Sequence, residues 1–437
     1  MATSKSLRWM VAGVAAVGLM LTACTGGGTP TTSAPPPASP GATESTPPDL
    51  SGTTIDYWYW QDDTTDTTIQ DLADKFKSET GITVNIMDDI AQPDFFDSLV
   101  NAVAAGNAPD ATHLNTNMLG QLITAGVLED LNDEIQGWDK AGDITETLWQ
   151  YVENADGSVR YAMPNRYLMF YMYYRADLFA AAGVEVPKTQ EEFVAASKAM
   201  AASAPDTYGF DIRGGPNGQD QWAAFLVAGG ARFVDSSGAV AFDSPESRAS
   251  NDLYIDTYDS APPGAINSGF PQIVANFQAG TATMIINHLG SANALVESLG
   301  DDKVGVALIP SATGDPSQTT YMGTMNMNGV LASSENKQAA FEWIAYLAEA
   351  DAQLAIAKSP NGYLPVVTSV ANDPAFADNK FFQTSIEAAQ NGTLAWPAIP
   401  GTTRATQQVW QPLFQGALLG ENENNEVVSG VAEALAG

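Results

Sequence analysis

The chain has 437 residues, more than one compact core accommodates, so two domains are expected. Apolar residues make up 45% and charged residues 16%, an ordinary globular balance, yet 18 Lys and Arg against 51 Asp and Glu leave a net charge of −33. A surface of that sign repels phosphate backbones, which argues against nucleic acid as a partner, and it disfavours small anions unless arginines gather locally.

The single cysteine, Cys24, rules out an internal disulfide. It is preceded by Lys5, Arg8, an apolar run from Trp9 to Leu21 and small residues, the layout of a secretory signal over residues 1–23. That run falls short of the roughly 20 residues needed to cross a bilayer. The stretch "LTAC" at 21–24 resembles a bacterial lipobox, which implies cleavage before Cys24 and diacylation of its sulfur. Residues 24–50 are Pro, Thr, Ser, Gly and Ala almost throughout and cannot bury a core. They read as an extended tether of about 80 Å at ~3.1 Å per residue. Signal, lipid and tether together place the body at the outer face of the cytoplasmic membrane.

From Thr53 the pattern alternates. "TTIDYWYW" is a strand; "DTTIQDLADKFKSETG" spaces Ile69, Leu72 and Phe76 as a helix and stops at Gly81. "ITVNIMD" is a second strand, "DFFDSLVNAVAAG" a second helix, and "APDATHLN" a third strand. Such units predict an α/β fold with mostly parallel sheets flanked by helices. Further on, "GSVRYAMP" and "RYLMFYMYYR" read as strands. "KTQEEFVAASKAM" is a helix with a capping box from Thr189 to Glu192. "IVANFQAGTATMIINH" is helix then strand, "DDKVGVALIP" and "YMGTMNMNGVLA" are strands, and "NKQAAFEWIAYLAEADAQLAIAK" is one long amphipathic helix.

In open α/β sheets ligands bind outside the carboxyl ends of the strands. The first strand carries bulky rings on both faces and runs into acids there, which is tolerable where one face lines a crevice. Trp60 is a candidate stacking wall, or else core, and Asp62 a candidate hydroxyl acceptor, or else a helix-capping carboxylate, while Tyr57 and Tyr59 share a face as core. Asn115 and Asn117 end the third strand. Either could equally form the turn.

Several stretches in order resemble one family: "APDATHLN", "MPNRYLMFYMYYRADLF", "AGGARFVDSSGAVAFDSPES", "GTATMIINH" and "NKQAAFEWIAYLAEADAQLA" with "NGYLPV". The chain is similar over about residues 50 to 437 to the extracellular solute-binding proteins of ABC-type carbohydrate importers, the group that includes maltose-binding protein. The resemblance implies two α/β lobes joined by crossing strands, with a sugar or oligosaccharide held between them and delivered to membrane permease subunits. Crossings are expected near Met163–Tyr167, Gly305–Pro310 and Ser334–Lys337. That assigns 51–162 plus 307–335 to the first lobe and 163–306 plus 336–437 to the second. Carried onto this sequence, it implies ligand contacts from Asn165, Arg166 and Tyr167, from Asn287 and His288, and from Met325 and Asn326 in "MGTMNMN". Trp222, Tyr363, Trp396 and Arg404 are further candidates, with a packed helix start for Trp222, a buried ion pair for Arg166 and a core role for His288 as the plain alternatives. It implies a monomer, no cofactor and no metal.

An enzyme would need a constellation. Gly-x-Ser-x-Gly, a phosphate loop with Lys, and His-Glu-x-x-His are all absent from the sequence. A glycoside hydrolase needs only two carboxylates and stays a rival, as does a binder of another small polar solute such as iron or a peptide, to which "YMYY" could offer tyrosines.

Overall fold

Helix ends are written locally. The helix Thr68–Thr80 stops where Gly81 turns left-handed at φ +78°, and Gln92–Ala105 stops the same way at Gly106. The helix Gln190–Ala201 starts on the expected capping box: Thr189 Oγ1 accepts from the Glu192 amide, and the Glu192 carboxylate accepts from the Thr189 amide. In this computed structural model residues 49–60, 65–154, 156–394 and 396–437 are described, and Leu50–Gly437 form one compact unit. The expectations at Cys24 and Asp62 lie outside the described residues. No helix among them is long and apolar enough to cross a membrane.

The strands are β1 (Thr54–Trp58), β2 (Thr83–Met87), β3 (Ala111–Asn115), β4 (Met163–Met169), β5 (Tyr171–Arg175), β6 (Tyr208–Phe210), β7 (Ala282–Asn287), β8 (Val304–Ala307), β9 (Tyr321–Val330), β10 (Leu364–Pro365) and β11 (Gly392–Leu394). They form a seven-stranded sheet in the order β10-β4-β9-β3-β1-β2, with β11 also on β9, and a four-stranded sheet in the order β6-β7-β5-β8. Helices flank both, so the architecture is α/β with two lobes. The sheets are mixed rather than mostly parallel. β1, β2 and β3 run parallel as expected, but β9 enters antiparallel between β3 and β4, because the chain returns to the first lobe from the opposite direction.

The lobe boundaries differ from those expected. β4 belongs to the large sheet, so the first crossing falls at Phe170, between β4 and β5, not at Met163–Tyr167. The segment 157–162 is no strand and makes only a bridge from Arg160 to Glu153. The second crossing lies between β8 and β9. The third does not occur at Ser334–Lys337: the helix Lys337–Leu347 stays with the large sheet, where Trp343 packs edge-on against Tyr57 at 5.7 Å and lies 5.3 Å from Phe76. The chain rejoins the second lobe after β11, where Trp410 lies 6.2 Å from Trp222. The predicted long helix is two, Lys337–Leu347 and Ala350–Ala357, broken at extended Glu349, whose carboxylate meets Lys140 at 2.6 Å.

Candidate functional site

Between the two sheets lies a cavity of about 480 Å³. It sits at the carboxyl ends of the parallel strands of both lobes, the position open α/β sheets reserve for ligands. The first lobe contributes Trp60 two residues after β1, Asn115 at the end of β3, Leu168 from β4, and Thr324 and Asn326 from β9. The second contributes Arg213 beyond β6, Asp220 on the helix Gln219–Ala228, Phe270, and His288 immediately after β7. Phe170, at the crossing, and Tyr363 close the lining.

The aromatic wall is ordered. Phe270 stacks on His288 with centroids 5.7 Å apart and planes at 15°, and Phe170 lies 5.8 Å from the same ring. His288 Nδ1 accepts from the Gly290 amide at 3.1 Å, so the neutral ring carries its proton on Nε2. A Cβ on Gly290 would come within 2.9 Å of that imidazole, which is why the close approach needs glycine. Burial, reinforced by the Arg213 charge, pushes the His288 pKa down to about 3, so the ring is neutral at physiological pH. Trp60 is only 2% exposed and packs against Phe95 at 5.0 Å and His113 at 4.3 Å. It is therefore both core and cavity wall, while Tyr57 and Tyr59 are buried as the sequence indicated.

Beneath the first-lobe wall runs a polar network. Arg166, buried in β4, donates from Nη1 to the Tyr59 hydroxyl at 2.9 Å, and its guanidinium lies 4.0 Å over the Tyr363 ring. His113 Nε2 faces two donors, Asn326 Nδ2 at 3.1 Å and Arg166 Nη2 at 3.4 Å, so it is the acceptor. The His113 proton therefore sits on Nδ1 and is donated to Asn328 Oδ1 at 2.9 Å, which also accepts from the Tyr57 hydroxyl at 2.8 Å. With its amide nitrogen committed to His113, Asn326 is fixed in orientation where it lines the cavity. On the far wall Trp396 Nε1 donates to Asp220 Oδ1 at 2.8 Å. Burial raises the Asp220 pKa, while Trp396, Arg213 and Asn117 favour its carboxylate. Arg213 is anchored by donating from Nε and Nη2 to the Pro216 carbonyl at 3.0 and 2.7 Å.

Of the residues expected to line a site, Trp60, Asn115, His288, Asn326 and Tyr363 meet at this cavity. Arg166 supports it from below. The others are placed elsewhere. Trp222 is fully buried, with its indole N–H on Asn251 Oδ1 at 2.8 Å, because its helix is buried along most of its length. Met325 alternates with Thr324 and Asn326 along β9 and so faces the core, and Tyr167 alternates with Leu168. Asn165 and Asn287 are buried outside the lining; Asn287 Oδ1 accepts from the His288 amide at 3.0 Å. Asn117 is buried behind Asn115, whose side chain caps the helix Thr116–Thr124. Trp396 lines a neighbouring cavity, and Arg404 is exposed on the short helix Gly401–Arg404. Sequence reasoning missed Phe170, Arg213, Asp220 and Phe270. Asp220 and Phe270 stand beside glycine-rich turns, "GGPNGQD" and "SGF", a signal that marks loop ends facing a crevice.

The chain matches the profile of bacterial extracellular solute-binding proteins over residues 71–384. A binding protein of Brucella abortus is 24% identical over 373 residues, 83% of this chain and 87% of the relative. Among solved structures, an ABC transporter solute-binding protein of Thermotoga lettingae bound to alpha-D-tagatose superposes with a TM-score of 0.77 at 23% identity, covering 88% of this chain and 99% of that one. The GacH receptor of Streptomyces glaucescens, solved without ligand and with acarbose, gives 0.76 at 20% identity over 87% and 97%.

His113 offers a check on the network. Burial and the Arg166 charge hold its pKa well below the usual 6.5, so the unfolded chain takes up a proton below that pH that the folded chain refuses. Stability should therefore fall on acidification from pH 6.5 downward, by up to about 1.4 kcal/mol per pH unit from this group. Denaturant unfolding at pH 7.5, 6, 5 and 4.5 should show His113→Gln less stable at pH 7.5 but with a shallower decline; parallel declines would contradict the neutral assignment.

With two sheets facing one crevice and the family profile covering most of the body, the chain belongs to the bacterial extracellular solute-binding proteins.

Proposed function

We propose that this protein captures a neutral sugar, oligosaccharide or polyol between its lobes and hands it to the membrane subunits of an ABC importer. The observation that carries this reading is the composition of the cavity: rings of Trp60, Phe170, Phe270, His288 and Tyr363 around amide, carboxylate and guanidinium groups of Asn115, Asn326, Asp220 and Arg213. A sugar has apolar C–H faces that such rings cover and a hydroxyl rim that such groups hydrogen-bond, the charged ones most strongly. The tagatose and acarbose held by the structural neighbours support the same class. Capture from both lobes favours the closed arrangement by differential affinity, which a transporter can read. Glycoside hydrolysis uses a pair of carboxylates, whereas Asp220 is the one carboxylate among the described lining residues. The family is one of binding proteins, not enzymes.

A thermal-shift screen over neutral sugars and alditols tests the reading. A ligand at a hundred times its Kd should add about 2.7 kcal/mol of stability, with little dependence on salt. Stabilisation by phosphorylated or carboxylated solutes alone, steeply weakened by salt, would overturn it.

The anchor is a separate part of the proposal and rests on the lipobox-like "LTAC" and the tether that follows. Expressed in a bacterium, Cys24→Ala should lose acyl labelling and leave the membrane fraction, and retention in the detergent phase would contradict the anchor.

A further inference from the structure

A second cavity of about 690 Å³ lies beside the first, with Tyr151, Asn154, Phe233, Gln318 and Trp396 among its lining. The described linings of the two cavities share no residue. What separates them is assembled from three distant segments. At the end of β3 consecutive residues part company: Asn115 lines the first cavity and Thr116 the second. Asp220, from the second lobe, lines the first, and its carboxylate holds the indole N–H of Trp396, which lines the second.

The wall is stiff. Trp396 is 1% exposed and wedged 4.7 Å from Phe233 and 6.1 Å from Phe242. The backbone just after it lies hard against the helix Thr116–Thr124, so that a Cβ on Gly120 would come within 2.7 Å of the Ile399 carbonyl oxygen. Thr403 Oγ1 then donates to the Asn117 carbonyl at 2.7 Å, tying the same segment to the first lobe. A ligand reaching from one cavity into the other would have to break the bond between Trp396 and Asp220 and give up one of the charge-assisted contacts that hold this carboxylate.

We propose that the contact of Trp396 with Asp220 is a partition that sets ligand length: the first cavity takes a mono- or disaccharide or a short polyol and excludes longer chains. This rests on the carbohydrate reading of that cavity and narrows it. The cavity of about 480 Å³ lies within the ~300–1,000 Å³ typical of ligand pockets, and the length limit rests on the wall rather than on the volume. Asp220 and Trp396 are thereby assigned a specificity role beyond any contact with solute.

The test is a length ladder on the chain from residue 25 onward, using gluco-, galacto-, manno- and xylo-oligosaccharides of one to five units together with the C5 and C6 alditols, read by calorimetry. In any series that binds, affinity should peak at one or two units and fall about tenfold or more at the third. Trp396→Ala should recover the trimer by about tenfold, while Trp396→Phe, which keeps a ring but loses the N–H, should recover it less. Trimers and longer chains binding the wild type as tightly as dimers would overturn the partition while leaving the carbohydrate reading intact, and so would a folded Trp396→Ala with an unchanged ladder. The wild-type ladder decides the matter even if Trp396→Ala does not fold. Should no member of any series bind while charged solutes do, the carbohydrate reading fails and the partition with it.

Discussion

The site depends on one strand. β9 arrives directly from the second lobe and inserts antiparallel between β3 and β4, pairing Asn115 with Asn326 on one side and Arg166 with Asn326 on the other. Strand alternation then divides its residues: Thr324 and Asn326 reach the cavity, and Met325 and Met327 fill the core behind it. The same insertion brings Asn326 and Asn328 to His113, more than two hundred residues away in sequence, and so completes the hydrogen-bonded layer under the cavity floor. Without β9 the first-lobe side of the cavity would lose Thr324 and Asn326, and His113 would lose two of its hydrogen-bond partners.

Charge is handled unevenly across the molecule, and the unevenness serves the site. The chain carries a net charge of −33, and among its described carboxylates only Asp211 is fully buried. At the cavity the signs are mixed and partnered: Arg166 is shared among Tyr59, His113 and the Tyr363 ring, and Asp220 lies within the field of Arg213. Both histidines are held neutral by burial and a nearby guanidinium. Neutral imidazoles and satisfied charges form a lining that presents hydrogen-bond partners without a strong net field, which suits a neutral polyhydroxylated solute better than an ion.

Much of this was legible in the sequence where the signal is local. The capping box at Thr189, the left-handed stops at Gly81 and Gly106, and the alternation from Thr53 onward are determined within a few residues and appear as read. Trp60 and Asn115 could be placed at the crevice because strand ends mark it in this architecture, and His288 through the family resemblance. The β4–β5 run "RYLMFYMYYR" was not parsed correctly, since aromatics on both faces hide the point, Phe170, at which the chain leaves one sheet for the other. Trp222 misled because a helix buried on most of its surface has no polar face to orient it. Met325 misled through a shift of one residue, which reverses the face in a strand. Arg213 and Asp220 converge only through tertiary packing of a loop and a helix, and no spacing announces that.

The central claim is that solute is gripped from both lobes at once. Amide hydrogen exchange, measured with and without the sugar or alditol that stabilises the protein most, tests it directly. Exchange should slow together at Asn115–Asn117 in the first lobe and at His288–Gly290 in the second, segments more than a hundred and fifty residues apart in sequence. Protection confined to one of them, or found only on a surface remote from both, would contradict the account.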